Sequence, residues 1–188
     1  MDVPDAELMA RAAKGSPTAF GELVTRHGAA MHAYLARRTG PRDADDLLSE
    51  MWLAAFESRA TYDTRWPDAR PWLYGIARHA LHAHWRRSSR AATFLPGTPA
   101  DPWSEADSRI DATAQRAALL DALATLSEDD REVLLLVTWE DLSPAEVAVV
   151  LSIPPGTARS RLHRARALLR KTFASPVAVV PHSFSKEA

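Results

Sequence analysis

The chain has 188 residues, of which 46% are hydrophobic, and it contains no cysteine. This length allows one ordinary domain or two small helical domains with modest cores. Without cysteine there can be no disulfide framework, no cysteine-ligated zinc site and no cysteine nucleophile. No apolar run approaches the roughly 20 residues that a transmembrane helix needs, and the acidic N-terminus lacks the basic start of a secretory signal. We therefore expect a soluble, cytoplasmic protein.

The formal net charge of −1 conceals a strong segregation of charge along the chain. Residues 65–91 carry a net charge of +5 and residues 151–188 carry +6, whereas residues 113–150 carry −6. An ordinary solvated surface mixes both signs locally. Two separated basic blocks indicate two contacts with a polyanion such as DNA, and the acidic blocks would then face a different, basic partner.

Helical periodicity dominates the N-terminal half, and no run of alternating β-branched residues is long enough to build a sheet. The second predicted helix ends at Gly40–Pro41, a typical stop signal. An irregular stretch over residues 60–69 precedes the fourth helix. The four predicted helices cover residues 5–14, 18–38, 43–59 and 70–88.

A linker is predicted between two domains because prolines interrupt any helix over residues 91–112 and acids keep that segment solvated. The sequence therefore predicts an all-α fold of two small helical domains joined by a flexible linker. The predicted boundaries are a first domain over residues 1–91, a linker over 92–112, a second domain over 113–174 and a loose tail over 175–188.

The second domain shows a helix-turn-helix pattern. Ser127 and Ser143 stand at the N-cap positions of capping-box sequences, and Pro144 occupies the first helical position after the second of them. A tight turn over residues 153–156 separates this short helix from a longer basic helix over residues 155–173. A short capped helix, a turn and a longer basic helix are typical of DNA-binding helix-turn-helix proteins.

The last helix has a basic face without acidic partners. Ala158, Leu162, Ala165 and Leu169 form its apolar stripe, and no acid occurs between residues 152 and 171. The i±4 ion pairs of an ordinary solvated helix are therefore missing, and DNA phosphate would offset the repulsion. An exposed basic helix without a nucleic-acid role is the alternative. The predicted duplex-binding residues are Thr157, Arg159, Ser160, Arg161, His163, Arg164 and Arg166.

A second basic segment, residues 70–87, interleaves arginine with aromatic residues. This combination suits single-stranded DNA because arginine holds phosphate while aromatic rings stack on bases, at ~1–3 kcal/mol per base. For any single aromatic residue, packing in the core beside snorkelling arginines is an equally good interpretation. The candidates in this segment are Trp72, Tyr74, Arg78, His79, Trp85, Arg86 and Arg87.

The segment from Leu126 to Arg170, and GTARSRLHRARALLR within it above all, closely resembles region 4 of the extracytoplasmic-function (ECF) sigma factors of the sigma-70 family. Residues 70–87 resemble region 2.3–2.4 of the same family, where the promoter −10 element is melted and read. The resemblance covers nearly all of residues 5–171. It implies a sigma factor that binds core RNA polymerase and directs transcription initiation from −35 and −10 elements. We expect neither enzymatic activity nor a cofactor.

The resemblance also implies roles outside the two basic segments. Residues 43–52 resemble region 2.2, which docks on the β′ clamp helices of the polymerase, although acids at a helix start are also stabilised by the helix dipole alone. In the family, the loop before the fourth helix captures a flipped base. Contact with the β flap and control by an anti-sigma factor are further implications. The positions carried over are Asp45, Asp46, Glu50 and Trp52 for the clamp, and Tyr62, Arg65 and Trp66 for the base pocket.

Two features leave alternatives open. His79 stands where the family often has asparagine, so the −10 sequence that is read stays unknown. His79, His82 and His84 are close in sequence, but a structural zinc ion takes four ligands and no cysteine is present, so we expect no metal site. A conventional helix-turn-helix regulator that binds duplex DNA as a dimer is the main alternative function. It leaves residues 70–87 and the acidic block unexplained.

Overall fold

The computed structural model describes residues 3–92 and 114–174, and both ranges are helical apart from turns. No strand occurs in these two ranges, which confirms the predicted all-α class. No helix in them is long and apolar enough to cross a membrane. The predicted tail and nearly all of the predicted linker lie outside the described residues.

Residues 3–92 contain four α-helices whose ends follow local sequence signals. Ser16 caps the second helix by accepting a hydrogen bond from the Ala19 amide at 3.4 Å. Gly40 has a φ of 79°, which glycine adopts at little steric cost. Pro41 then starts the third helix, so the Gly–Pro pair ends one helix and also begins the next. These helices are α1 (Asp5–Ala13), α2 (Pro17–Thr39), α3 (Pro41–Ser58) and α4 (Arg70–Ala92), with a 3-10 helix at Arg59–Thr61.

The C-terminal half also contains four described helices. Ser127 caps the second of them through the Asp130 amide at 3.2 Å. Ser143 and Glu146 form a complete capping box at the start of the third, in which the Ser143 amide donates to Glu146 Oε2 at 2.7 Å. These helices are α5 (Ala114–Ala124), α6 (Glu128–Trp139), α7 (Pro144–Leu151) and α8 (Pro155–Ala174).

The apolar stripes predicted from periodicity pack into one contiguous core that includes residues of both halves. Leu47, Met51, Ala54 and Ala55 recur at helical spacing in α3, which predicts a buried stripe; Leu47, Met51 and Ala55 are buried, but Ala54 lies on the solvent side of that helix. In α8, the predicted residues Ala158, Leu162 and Ala165 are buried. Because the core runs through both halves, the surfaces of α4 and α7 that pack together are removed from water.

A buried carboxylate fixes the start of the chain to the rest of the N-terminal half. Asp5 is 6% exposed, and its two oxygens lie 2.6 Å from Arg26 Nη1 and 2.7 Å from His27 Nε2. The amide of Ala69 also donates to Asp5, at 3.0 Å, immediately before α4. Asp68 lies close enough to complete a three-residue cluster with Asp5 and His27. One side chain thus joins α1, α2 and the start of α4.

The ionised form of Asp5 stabilises this arrangement. Burial alone would raise the pKa of Asp5, but the hydrogen bonds from His27, Ala69 and Arg26 lower it to about 2. The folded-state pKa therefore lies below the unfolded value of about 3.9. The resulting stability, about 2 kcal/mol, is fully present above about pH 4 and is lost as the pH falls through about 2.

We predict that Asp5→Asn lowers the free energy of unfolding by about 2–3 kcal/mol at pH 7, because it leaves Arg26 and His27 without a charged acceptor. Urea unfolding followed by circular dichroism measures the change. Glu7→Gln, an exposed carboxylate on the same helix, should cost less than about 1 kcal/mol. A difference between wild type and Asp5→Asn that did not shrink below about pH 4 would contradict this assignment.

Candidate nucleic-acid interface

The α7–α8 unit has the geometry of a helix-turn-helix. Ser152 ends α7 in the left-handed conformation, with a φ of 54°, and Pro155 begins α8. Val147 and Val150 of α7 are buried, and α7 packs against α8. The capping box at Ser143 fixes the start of α7. The predicted supersecondary structure is confirmed.

The outer face of α8 is exposed and basic. Of the seven predicted duplex-binding residues, Thr157 and Arg161 are half-buried and the other five are exposed. Arg161 and Arg164 are bound within the same half, by Asp129 at 2.5 Å and by Asp130 at 2.8 Å respectively. The exposed residues are Arg159, Ser160, His163, Arg164 and Arg166.

The ion pairs with α6 divide the arginines of α8 into two groups. The hydrogen bond to Asp130 raises the pKa of Arg164 and holds its guanidinium against the N-terminal turn of α6. Arg159 and Arg166 form no ion pair with another described residue. These two cations therefore reach solvent without an internal anion to displace.

The loop before α4 places its three candidate residues differently. Tyr62 is buried, donates its hydroxyl to the Trp66 carbonyl at 2.5 Å and packs edge-on against Trp72 at a ring separation of 5.7 Å. Burial raises the pKa of Tyr62 to about 12. Trp66 is 37% exposed, and Arg65 reaches into solvent while paired with Asp63. Two of the three side chains are thus accessible, and the third supports the loop.

The outer half of α4 keeps several candidates at the surface. His79 and Arg86 are exposed, and Arg87 pairs with Glu50 of α3 at 2.9 Å. Trp85 is half-buried and stacks edge-on with His82 at 5.4 Å. Trp72 is also half-buried and packs on the core. The aromatic residues of this segment therefore combine core packing with partial exposure.

Tyr74 and Arg78, by contrast, are covered by the C-terminal half. Tyr74 is 2% exposed and donates its hydroxyl to Glu140 Oε2 at 3.1 Å. Burial and the Glu140 carboxylate raise the pKa of Tyr74 well above its ordinary value. Burial would lower the pKa of Arg78, but its 2.7 Å hydrogen bond to Glu132 raises it. Both residues are predicted for single-stranded DNA, and in this arrangement carboxylates bind them.

Glu140, immediately after α6, is the centre of this contact. Its carboxylate accepts two hydrogen bonds of 2.7 Å from Arg37 Nη2 and one of 3.4 Å from Arg38 Nη1. Glu140 is 5% exposed and Arg38 2%. Arg38 in turn lies over the ring of Tyr34, at 3.7 Å. Sequence reasoning missed these residues, because a charged group far along the chain gives no local signal of its partner.

The acidic face of α3 is accessible. Asp45, Asp46 and Glu50 are exposed, and Asp45 lies 3.1 Å from His32 Nε2. Trp52 is half-buried and packs edge-on against Phe20 at 5.9 Å. Three of the four predicted docking residues are thus at the surface, while Trp52 is largely part of the core.

An apolar patch beside these acids was not predicted. Leu53 is 60% exposed and Phe56 41% exposed, and Leu53 follows Asp46 and Glu50 at i+7 and i+3 on the same helix face. A signal was present in the sequence, because Leu53 lies off the buried stripe of Leu47 and Met51. Adjacent exposed apolar residues beside charged ones are typical of a surface that binds another protein.

The histidines of α4 have separate surroundings. His79 Nδ1 lies 2.8 Å from the Gly75 carbonyl, His82 stacks on Trp85, and His84 lies 3.6 Å from Asp43. The group whose donor atoms do converge is Asp5, His27 and Asp68, and hydrogen bonds within the protein already engage it.

Comparison with known proteins extends these observations over most of the chain. Residues 23–91 match the family model "Sigma-70 region 2", and residues 116–169 match "Sigma-70, region 4". The RNA polymerase sigma factor CarQ of Myxococcus xanthus is 35% identical over 168 residues, which cover 87% of this chain and 94% of CarQ. The ECF RNA polymerase sigma factor SigL of Mycobacterium tuberculosis is 32% identical over 154 residues, covering 80% and 86%.

Solved structures agree with this similarity. CnrH, determined in complex with the cytosolic domain of CnrY, superposes with a TM-score of 0.63 at 27% identity, covering 92% of this chain and 98% of CnrH. The sigma factor RpoE of Bartonella quintana, in complex with the anti-sigma factor NepR, gives a TM-score of 0.63 at 20% identity, covering 84% and 98%. The second comparison supports the fold alone.

The exposed patch on α3 should contribute little to folding. We predict that Leu53→Ala changes the free energy of unfolding by less than about 0.5 kcal/mol. Leu47→Ala, on the buried side of the same helix, should cost about 2–5 kcal/mol because it leaves a cavity. Urea titration of both variants measures the contrast. A loss above about 2 kcal/mol in Leu53→Ala would mean that Leu53 is held for stability.

Proposed function

Because the chain belongs to the sigma-70 family, in its extracytoplasmic-function group, and directs promoter-specific transcription initiation, we propose how its two halves divide that work. The α7–α8 unit reads the −35 element in duplex DNA. The helix α4 and the loop before it open and read the −10 element. The face of α3 docks on core RNA polymerase.

The exposed cationic face of α8 is the observation that carries this proposal. Arg159 and Arg166 project from a helix that α7 holds at a defined angle, and both are exposed. The N-terminal residues of a recognition helix reach base edges in the major groove. Thr157, Arg159 and Ser160 would therefore contact bases, and Arg166 would neutralise phosphate. Arg161 and Arg164 reach DNA once they exchange Asp129 and Asp130 for phosphate.

The −10 role is supported by the aromatic and basic residues around α4. Trp66, His79 and Arg86 are exposed, and Trp85 is partly exposed. Aromatic faces beside arginine favour unpaired bases over an intact duplex. A conventional helix-turn-helix regulator does not account for this segment, whereas the match to Sigma-70 region 2 over residues 23–91 includes it.

The polymerase contact is proposed for the acidic and apolar face of α3. Asp46, Glu50, Leu53 and Phe56 combine exposed charge with exposed apolar area. The apolar residues would supply burial, and the acids would direct a basic partner surface. The β flap is the second polymerase contact that we propose, for the C-terminal half. The protein would act without enzymatic activity of its own, in the cytoplasm with the polymerase.

An anti-sigma factor is the further partner that we propose. The support is the structural match to CnrH, which was determined in complex with the cytosolic domain of CnrY. Such a partner would compete with core polymerase for this protein.

The decisive experiment is transcription in vitro with purified core polymerase and a library of promoter sequences. We expect the chain to add transcription from a defined subset of promoters, because it supplies the −35 and −10 contacts. Tight duplex binding by the chain alone, with no promoter-specific transcripts, would favour the conventional regulator instead.

The phosphate contact is tested by Arg166→Ala. We predict weaker binding to duplex DNA of every sequence, and a slope of log K against log salt that falls by about 1. Fluorescence anisotropy with the selected promoter duplex over a series of salt concentrations measures both. The control Arg11→Ala removes an exposed arginine of α1 and should leave the slope unchanged. Equal effects of the two variants would show that net charge alone determines binding.

The polymerase contact is tested by Leu53→Ala. We expect weaker binding to core polymerase by about 1–2 kcal/mol, because the interface loses buried apolar area. Titration of the labelled protein with core polymerase measures the affinity, and duplex binding by the free protein should not change. Unaltered core affinity would remove Leu53 from the docking face.

A further inference from the structure

Two acids in the first turn of α6 pair with two arginines of α8, and the two pairs differ in which partner is buried. In the pair of Arg161 with Asp129, the arginine side chain is 19% exposed and the carboxylate 60%. In the pair of Arg164 with Asp130, the arginine side chain is 60% exposed and the carboxylate 12%. Of these two arginines, Arg164 is therefore the one that faces solvent while its carboxylate stays inside the protein.

Asp130 binds Arg164 along one edge of the guanidinium group. Nε of Arg164 donates to Oδ2 at 3.2 Å, and Nη2 donates to Oδ1 at 2.8 Å. Two hydrogen bonds between the same two groups fix the plane of the guanidinium. A guanidinium has five N–H donors in a rigid fork, so the Nη1–Nη2 edge at the tip of the side chain keeps one free N–H on each nitrogen.

This tip edge matches the acceptors of a guanine. In the major groove a guanine presents O6 and N7 side by side, and a bidentate arginine is the commonest specific contact with them. Arg164 follows Ser160 by one turn on the same face of α8. Ser160 is exposed and is proposed above to contact bases. Arg164 can therefore reach a guanine while it keeps Asp130, with the plane of its guanidinium already fixed.

The same ion pair makes Arg164 a poor ligand for phosphate. A phosphate attracts a cation through its charge, whereas the carboxylate of Asp130 cancels much of that charge and repels the phosphate. A guanine is neutral and is not repelled. Contact with phosphate therefore requires Arg164 to give up Asp130, but contact with guanine does not.

We propose that Asp130 is a positioning residue for −35 recognition: it holds Arg164 so that the tip of the guanidinium reads a guanine in the major groove, and it withholds Arg164 from phosphate on other sequences. Asp130 itself does not touch the DNA. The proposal rests on the −35 role proposed above for α8. It adds to that role a base identity and a residue that lies outside the helix-turn-helix.

The experiment compares Asp130→Asn with Glu128→Gln in the full-length protein. Glu128 is exposed and lies in the same turn of α6, but the ion pairs between α6 and α8 in the described residues use Asp129 and Asp130. Both substitutions remove one negative charge, so a difference between them does not come from net charge. The probes are a library of randomised DNA duplexes, whose bound fraction is sequenced, and one duplex of unrelated sequence.

The base preference is the first readout. We expect the wild-type protein to enrich a guanine at one position, where any other base weakens binding about tenfold, and Arg164→Ala to remove that preference. Asp130→Asn should reduce the preference to about threefold or less, because the guanidinium is no longer held in one plane, and Glu128→Gln should keep it. An undiminished preference in Asp130→Asn would overturn the proposal, as would a wild-type library without a guanine that depends on Arg164.

The salt dependence is the second readout, and it moves in the opposite direction. On the unrelated duplex, Asp130→Asn should bind more tightly, and the slope of log K against log salt should steepen by about 1, because Arg164 is released to phosphate. Glu128→Gln should leave the slope unchanged. Weaker binding of Asp130→Asn to every duplex, with no steeper slope, would indicate a merely structural role and overturn the proposal.

A double substitution tests whether Asp130 acts through Arg164. In an Arg164→Ala protein, Asp130→Asn should have no further effect on the base preference or on the slope. A remaining effect at the guanine position would overturn the proposal. Circular dichroism verifies the fold of each variant, and Asp130→Ser, which removes the same carboxylate, should give the same results as Asp130→Asn.

The outcomes separate this proposal from the proposed function. Promoter-specific transcription by the wild type, together with a guanine preference that Asp130→Asn leaves intact, would overturn the positioning role alone. Failure of the wild type to add promoter-specific transcription would refute the proposed function. The duplex library would in that case still decide whether Asp130 directs Arg164 to guanine.

Discussion

One buried carboxylate determines how the two halves of this protein sit against each other. Glu140 is 5% exposed and is bound by Arg37, Arg38 and Tyr74, which come from two helices of the other half. A buried charge of this kind adds little net stability when fully paired, but it penalises every arrangement that leaves it unpaired. It therefore selects one packing of the halves over the many that apolar burial alone would permit. The orientation of α4 relative to α6 and α7 follows from this selection.

The alternation of charge along the chain corresponds to ion pairs between segments in the folded protein. Arg78 of the basic block at residues 65–91 pairs with Glu132 of the acidic block at 113–150, while the basic face of α8 points outwards. The acidic block thus contacts two different helices, α4 and α8. Glu132 and Glu140 face α4, whereas Asp129 and Asp130, in the first turn of α6, hold Arg161 and Arg164 of α8. A net charge near zero is the sum of these opposed surfaces.

Local features of the fold could be predicted from the sequence, because their causes are local. The capping box at Ser143, the glycine at position 40 and the apolar stripe of α8 each depend on neighbours within a few residues, and each occurs where the pattern predicted it. The partners of Tyr74 and Arg78 could not be predicted, because they are 66 and 54 residues away along the chain. Their spacing of four residues places them on one face of a helix, but does not indicate that the other half covers that face. Leu53 was overlooked because an isolated leucine outside a stripe is common on protein surfaces.

The helix α4 contacts the C-terminal half and is also proposed to read DNA. Substitutions in α4, whether they arise in evolution or by design, therefore affect two interactions at once. Arg78 is held by Glu132 and is also proposed to contact DNA, so a substitution of Arg78 would alter the fit between the halves together with that proposed contact. Compensating changes are then required in α6, a helix that takes no part in that contact. A chimera that joins this N-terminal half to the C-terminal half of a relative would inherit both proposed DNA-binding surfaces without inheriting their mutual fit. The strength of the contact between the two halves of the chimera would thus be set by an interface that neither parent possessed.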